Sequence, residues 1–493
     1  METDSGLDRH TLGQRARRGF SWSLTNSVIR RLWTFTLGII LARLLVPADF
    51  GVYALALAAL TILVSMNDLG VGVAIIRWQG NPERAARTAT SISIGASIAM
   101  YAVTFALAPV IADLLDSPAA TPVLRLITFA VVIDGFSGIP NALLERAFLQ
   151  KRRLAADLSG IIVNAAVVLS LAVADFGPYA LAWAIVAGNF VTAVGIIILA
   201  PKRPRPGWNT PDARALVSVG LPLAGASLLV FAMLNVDYFV IAGLLGATAL
   251  GFYLLAFNLA SWPPNLLTVA IRRVSIPAFS QLASDRKVLY SRFTQIFGVV
   301  MTVTLPVAAL LSILAVRVVV VLYGSRWLPT AQALIVLAPL GVARIGLNLC
   351  YDLFVAIGKS RTVLWLQGLW VAALIPAMII GTSAAGIRGA AIAHVVVAFV
   401  IVSPAFAIAL GRAQVPLRPL AATLVRPLGG IVALAVVVLV VDQVIEQDFL
   451  ALAVGGLVGI VVYGAAAVPW RGGRPDIKRT FSVFQGADGS GSS

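Results

Sequence analysis

Apolar runs of about twenty residues, separated by short polar segments, recur along the whole chain and predict membrane-spanning helices. In the first part they lie near 21–45, 50–70, 90–112, 122–144, 154–174, 178–200 and 216–244. They continue near 248–271, 293–315, 330–357, 362–382, 387–410, 419–441 and 449–469. Twenty helical residues rising about 1.5 Å each cross a hydrocarbon layer of about 30 Å. The runs lack the alternation of a transmembrane barrel, and only helices or closed barrels satisfy their backbones in lipid. The expected fold is all-α: a polytopic membrane protein of about fourteen transmembrane helices.

Composition strengthens this reading. Hydrophobic residues make up 59% of 493 and charged residues 12%, with a mean hydropathy of +0.94. A soluble domain carries about 25% charged residues. The net charge of +16 raises the question of nucleic acid. The basic residues sit in short connections rather than on one soluble face, so no nucleic-acid partner is expected. Their distribution instead sets orientation by the positive-inside rule. Arg15, Arg17 and Arg18, then Arg84 and Arg87, then Arg146, Lys151, Arg152 and Arg153, then Lys202, Arg203 and Arg205 fall on alternate connections. The opposite connections are short and neutral or acidic, as at Asp113, Asp175 and Asp442 to Asp448. Both termini are expected in the cytoplasm, with the chain multi-pass in the plasma (inner) membrane. The first twenty residues are polar and basic, and no cleavable signal peptide is expected. Cys350 lies inside an apolar run and reads as a small core residue.

A weak internal repeat organises the chain. Leu41 to Ala56 reads LARLLVPADFGVYALA, and Ile241 to Ala256 reads IAGLLGATALGFYLLA. Both carry Gly-x-Tyr after a shared loop, at a constant offset. Each copy has six spans starting from the same side, so the repeat is parallel, and parallel halves pack about an axis normal to the membrane. The expected division is a cytoplasmic segment 1–20, an N-lobe of spans 1–6 over 21–200 and a cytoplasmic linker 201–215. A C-lobe of spans 7–12 follows over 216–411, then spans 13–14 over 412–470 and a cytoplasmic tail 471–493.

Charges at membrane depth are costly and normally face a cavity or a partner. Span 1 carries Arg30 and Arg31, and Arg31 shares a helical face with Ser27, Thr34 and Gly38. Span 8 carries Asn258, Ser261, Asn265 and Arg272 on one stripe, interrupted by Pro263-Pro264. Span 10 has Arg344, Asn348 and Asp352 at four-residue spacing, and span 4 has Asp134, Gly138, Asn141 and Glu145 on one face. Two readings stand. In one, a water-filled cavity presents arginines to a multiply anionic group, because guanidinium forks match phosphate oxygens. In the other, Arg344 pairs with Asp352 or Asp134 and Arg30 packs against neighbouring helices. Asp68, Asp134, Asp237 and Asp352 are candidates for ion coupling, and Asp237 equally suits an interface role.

No enzyme constellation is visible. His10 and His394 are far apart, and the sequence has no metal-ligand cluster, Walker lysine loop or nucleophile elbow. No cofactor is expected. The connections on the outer face are too short for the site-bearing loop of a membrane polymerase or ligase.

The string IILARLLVPADFGVYALA, followed by DLGVGVAIIR, resembles the opening of the Wzx-like polysaccharide transporters of the MOP flippase superfamily. VGLPLAGASLL, NVDYFVIAGLLGATALGFY and YGSRWLPTAQAL follow in the family's order, and the resemblance runs from about residue 19 to 412. It implies a flippase for an undecaprenyl-diphosphate-linked oligosaccharide, similar to the lipid II flippases. Such a protein works with membrane lipids and with a polymerase or glycosyltransferases of its pathway. By position the resemblance puts Arg31 at a cavity arginine, whereas Asn258 stands where the lipid II flippase has one. Arg272, along the same stripe, is the substitute, so the expected headgroup contacts are Arg31, Arg272, Arg344, Arg30, Asn258 and Asn265. The alternatives are a MATE-like ion-coupled exporter, which favours acidic cavity residues, and a non-transporting scaffold of a glycan-assembly complex.

Overall fold

A computed structural model describes residues 33–67, 70–76, 78, 82–114, 117–147, 149–281, 285–467, 470–471 and 474–475. Within these, the description covers the backbone alone at 65, 82, 219, 222–234, 265–281, 360, 470–471 and 474–475. Helix α1 is described over Trp33–Leu44. It is followed by α2 (Pro47–Asn67), α3 (Val71–Ile76), α4 (Pro82–Leu114), α5 (Ala120–Arg146), α6 (Gln150–Val173) and α7 (Pro178–Leu199). The chain continues with α8 (Thr210–Gln281), α9 (Arg286–Ile313), α10 (Ala315–Tyr323), α11 (Leu328–Ala356) and α12 (Ser360–Val396). A π-helical turn, Val397–Val402, leads into α13 (Ser403–Arg412), and α14 (Leu417–Val444) and α15 (Asp448–Ala467) end the helical array. Trp470–Arg471 and Arg474–Pro475 pair as a minimal antiparallel hairpin.

The chain is a multi-pass membrane protein, and its described membrane-crossing segments are all helical. Among the described residues, eleven helical stretches are long and apolar enough to cross a bilayer. Two of the longest runs break where glycine permits it. The α8 run breaks at Gly246 (φ 79, ψ 175), between the runs expected at 216–244 and 248–271. The stretch Arg361–Arg412 counts as one, yet it breaks at Ala385 and Gly386, between the runs expected at 362–382 and 387–410. Gly386 has φ +58, and flanking Gly381 and Gly389 face each other's backbone so closely that neither has room for a Cβ. The expected run 21–45 lies partly outside the described residues.

The helices group into two compact units that interleave along the sequence. One consists of residues 41–255 with 374–393; the other is formed by the described residues of 1–40, 256–373 and 394–493. The segment expected as a linker, 201–215, falls within the first unit. In that unit small residues bring helices together, as membrane packing requires where lipid offers no hydrophobic drive. A Cβ on Gly160 of α6 would press on the Gly188 carbonyl and Thr192 of α7, and one on Gly188 would lie 3.0 Å from the Gly160 oxygen. Ser93 of α4 donates to the Gly135 carbonyl of α5 at 3.1 Å. Gly51 meets the Ala247 carbonyl, and Gly251 meets the Pro47 carbonyl.

In the other unit α9, α11, α14 and α15 form the frame. Gly459 of α15 sits against Val438 and Leu434 of α14, Gly430 of α14 sits against Tyr463, and the Tyr463 hydroxyl donates to the Thr302 carbonyl of α9 at 2.8 Å. Gly341 of α11 abuts Pro264 of α8, where a Cβ would stand 2.7 Å from the proline ring. Arg317 of α10 closes one end. It pairs with Asp442 and Asp448 and donates to the Glu446 and Asp442 carbonyls at 3.0 and 2.7 Å.

Candidate functional site

The polar residues singled out from the sequence meet different fates. Arg30, Arg31 and Asp68 lie outside the described residues. The backbones of Asn265 and Arg272 belong to α8, but their side chains lie outside what is described.

Arg344 is the best-defined of the candidate cations. It sits midway along α11, half-buried, with its guanidinium carbon 5.5 Å from the centroid of the Phe257 ring on α8. That distance suits a cation–π contact, worth about 0.5–2 kcal/mol according to desolvation. Phe257 in turn lies 6.1 Å from the ring of His394 on α12. Five residues further along α8, Trp262 stacks on Phe35 of α1 at 4.5 Å and 28°. An aromatic series on α8 therefore joins α1, α11 and α12 within one unit. Asn258, beside Phe257, is exposed, as is Asn348 one turn beyond Arg344, whereas Asp352 is buried. The expected polar stripe of α11 thus runs from a half-buried guanidinium, past an exposed amide, to a buried carboxylate.

The acidic candidates in the first unit are engaged locally. Asn67 Nδ2 of α2 donates to Asp134 Oδ2 of α5 at 2.9 Å and to the Val131 carbonyl at 3.1 Å. Asp134 therefore helps hold α2 to α5. Asp237 is 3% exposed, and its Oδ1 accepts from the Tyr238 amide at 3.1 Å.

A feature the sequence reading missed has one wall on the same helix as Arg344. A cavity of about 760 Å³ opens between α9, α11, α13 and α14, with Phe297, Met301, Leu347, Cys350, Phe406 and Leu424 in its wall. Its lining is almost wholly hydrocarbon, which fits an acyl or polyprenyl chain and excludes a strongly hydrated ligand. Helix α11 thus supplies both a guanidinium and the wall of an apolar cavity, chemistry matched to an amphiphile with an anionic head. The cavity was illegible because each helix is apolar all round, so periodicity does not mark its lining face. Cys350, read as a small core residue, is buried.

Residues 40–332 match the family described as "Polysaccharide biosynthesis protein". The lipopolysaccharide biosynthesis protein WzxC of Escherichia coli (strain K12) is 26% identical over 344 residues, covering 68% of each chain. The succinoglycan biosynthesis transport protein ExoT of Rhizobium meliloti (strain 1021) is 26% identical over 360 residues, 71% of this chain and 70% of that one. Among solved structures, the lipid II flippase MurJ in an inward closed conformation superposes with a TM-score of 0.73 at 14% identity, covering 89% of this chain and 96% of that one. An inward-facing multidrug resistance MATE family transporter of the MOP superfamily gives 0.59 at 18% identity, covering 80% and 94%.

Proposed function

Because the chain belongs to the polysaccharide biosynthesis protein family, we propose that it moves an undecaprenyl-diphosphate-linked oligosaccharide from the cytoplasmic to the outer leaflet of the plasma membrane, for cell-surface polysaccharide assembly. The observation that carries this reading is the double character of α11: Arg344 for the diphosphate, and Leu347 and Cys350 in the wall of an apolar cavity. Lipid-linked glycans combine these two chemistries in one molecule.

In this mechanism the headgroup enters a cationic cavity reached alternately from each face of the membrane. Arg31, Arg272 and Arg344 neutralise the diphosphate, with Arg30, Asn258 and Asn265 as further contacts. The polyprenyl chain stays in an apolar environment throughout. Guanidinium suits this role because it stays charged and pairs in a planar fork with phosphate oxygens. Asp68, Asp134, Asp237 and Asp352 are the groups through which an ion gradient would act. The membrane potential is a second source, worth about 2.3 kcal/mol per charge per 100 mV. Both termini lie in the cytoplasm under this reading, and a polymerase or glycosyltransferases of the same pathway supply and consume the glycan.

Depleting the protein in its own cell tests the reading. Lipid-linked glycan should accumulate in the cytoplasmic leaflet while surface polysaccharide falls, and the wild-type chain should restore both. Undiminished surface polysaccharide, without accumulation, would overturn it.

A further inference from the structure

A second cavity, of about 590 Å³, lies within the first unit. It sits where α4 begins, α5 ends and α7 ends, and it is walled by Glu83, Arg87, Arg146, Lys202, Arg203 and Arg205. We propose that it binds the phosphate-bearing headgroup of a lipid at the bilayer interface. This site does not depend on the transport reading.

Three of its five cations already have structural work. Arg146 donates to the carbonyls of Ile75, Ile76 and Trp78 at 2.6, 3.3 and 3.0 Å, closing the end of α3. Arg203 donates to the Ile197 and Ile198 carbonyls at 3.1 and 3.2 Å, capping α7. Lys202 pairs with Glu83. The guanidinium groups of Arg87 and Arg205 have no acceptor among the described residues, and both are exposed. The cavity therefore offers two uncommitted forks in a basic wall.

The wall is also braced in advance. Pro201, Pro204 and Pro206 alternate with the basic residues of the connection and fix its φ angles. Gly207 lies against α4: its amide donates to Ser91 Oγ at 3.0 Å, and that hydroxyl donates to its carbonyl at 2.9 Å. Asn209 Oδ1 caps α8 by accepting from the Asp212 amide at 3.1 Å, and Arg84 pairs with Asp212 at 3.2 Å. A connection that only sets topology needs charge; it does not need this bracing. Depth and shape point to a lipid. The cavity lies at helix ends, Trp208 beside it is 68% exposed as in an interfacial aromatic belt, and Ala86, Leu143 and Pro204 give the wall an apolar part. Basic pockets between helices at this level suit phosphate headgroups.

The test is native mass spectrometry of the full chain, delipidated and then titrated with phosphatidylglycerol or with phosphatidylcholine of the same acyl chains. Wild type should retain phosphatidylglycerol preferentially. The double variant Arg87→Gln/Arg205→Gln should lose retention by roughly thirtyfold, a factor of about five for each charge. Its melting temperature should be unchanged, since neither guanidinium has an acceptor to lose among the described residues. Lys151→Gln/Arg214→Gln removes equal charge outside the cavity and should retain as wild type does. Displacement by a polyprenyl diphosphate would identify a substrate-type headgroup as an occupant, and failure to displace would assign the site to bilayer phospholipid. Equal displacement by inorganic phosphate would assign it to the free anion. Phosphatidylglycerol held no better than phosphatidylcholine, or held equally by the Arg87/Arg205 variant, or lost equally from the control variant, would overturn the proposal.

Discussion

Gly51 faces the backbone carbonyl of Ala247 with no space for a Cβ, and the reciprocal contact, Gly251 on Pro47, joins the residues at equivalent positions of the internal repeat. Such reciprocity, in which position i of one copy meets position j of the other and j meets i, is the mark of a two-fold relationship. The Gly251 Cβ position also lies 3.1 Å from the Gly51 amide nitrogen, so the two glycines share one crossing. This explains why Gly-x-Tyr recurs in both copies: the glycine permits the crossing, and Tyr253 is fully buried just beyond it.

A methyl group at either glycine must move backbone rather than a flexible side chain. Gly51→Ala and Gly251→Ala should each lower the melting temperature in detergent, with a cost at or above the about 1–3 kcal/mol of ordinary overpacking. Because they share a contact, the double variant should cost less than the sum of the two. Wild-type melting in both single variants would contradict the close crossing.

Arg317 ties α10 to both ends of the α14–α15 connection, and its side chain is only 16% exposed. Arg317→Ala leaves Asp442 and Asp448 as neighbouring uncompensated carboxylates, and should destabilise the protein by about 1.5–3 kcal/mol, the value of hydrogen bonds to charged groups. Thermal melting of the variant checks this. Asp442→Asn should cost less, because Asp448 and the two carbonyls remain.

Arg344→Ala removes a partly exposed cation–π contact worth about 1 kcal/mol, and at equal folded protein should slow translocation by tenfold or more, in line with the about 1.5–3 kcal/mol of a charge-assisted hydrogen bond. Arg344→Lys should recover only part of the rate, because ammonium keeps the charge but not the planar fork or the ring contact. Initial translocation rates of the two variants separate charge from geometry.

Filling the apolar cavity should discriminate by chain length. Ala421 lines it from α14 and is itself exposed, so Ala421→Trp occupies the cavity without pressing on a packed neighbour. Translocation of long polyprenyl substrates should fall several-fold and that of short-chain analogues much less. Equal loss for both would separate the cavity from the lipid chain.

Much of the fold is legible in the sequence because bilayer thickness and backbone satisfaction leave few options. The helix breaks at Gly246 and Gly386 fall between expected runs, whereas the repeat shows a shared Gly-x-Tyr without showing that its glycines cross. The sites were harder to read. Arg344 was recognisable as a costly intramembrane charge, but its Phe257 partner lies on another helix. Arg317 was not picked out at all: its acidic partners are 125 and 131 residues away, and nothing local links them. The division between committed and uncommitted cations at Arg146, Arg203, Arg87 and Arg205 is likewise invisible in a list of basic residues, because it depends on which carbonyl each guanidinium reaches. Asp134, marked as a possible coupling group by its depth, turned out to accept from Asn67, a contact that spacing within α5 does not reveal.

The most direct measurement is translocation in proteoliposomes of a short fluorescent polyprenyl-diphosphate sugar, read as protein-dependent access of a membrane-impermeant quencher and compared with empty vesicles. The account predicts exchange between leaflets with wild type and strongly slowed exchange with Arg344→Ala at equal folded protein. Folded wild-type protein that moves none of several sugar headgroups faster than empty vesicles would contradict it.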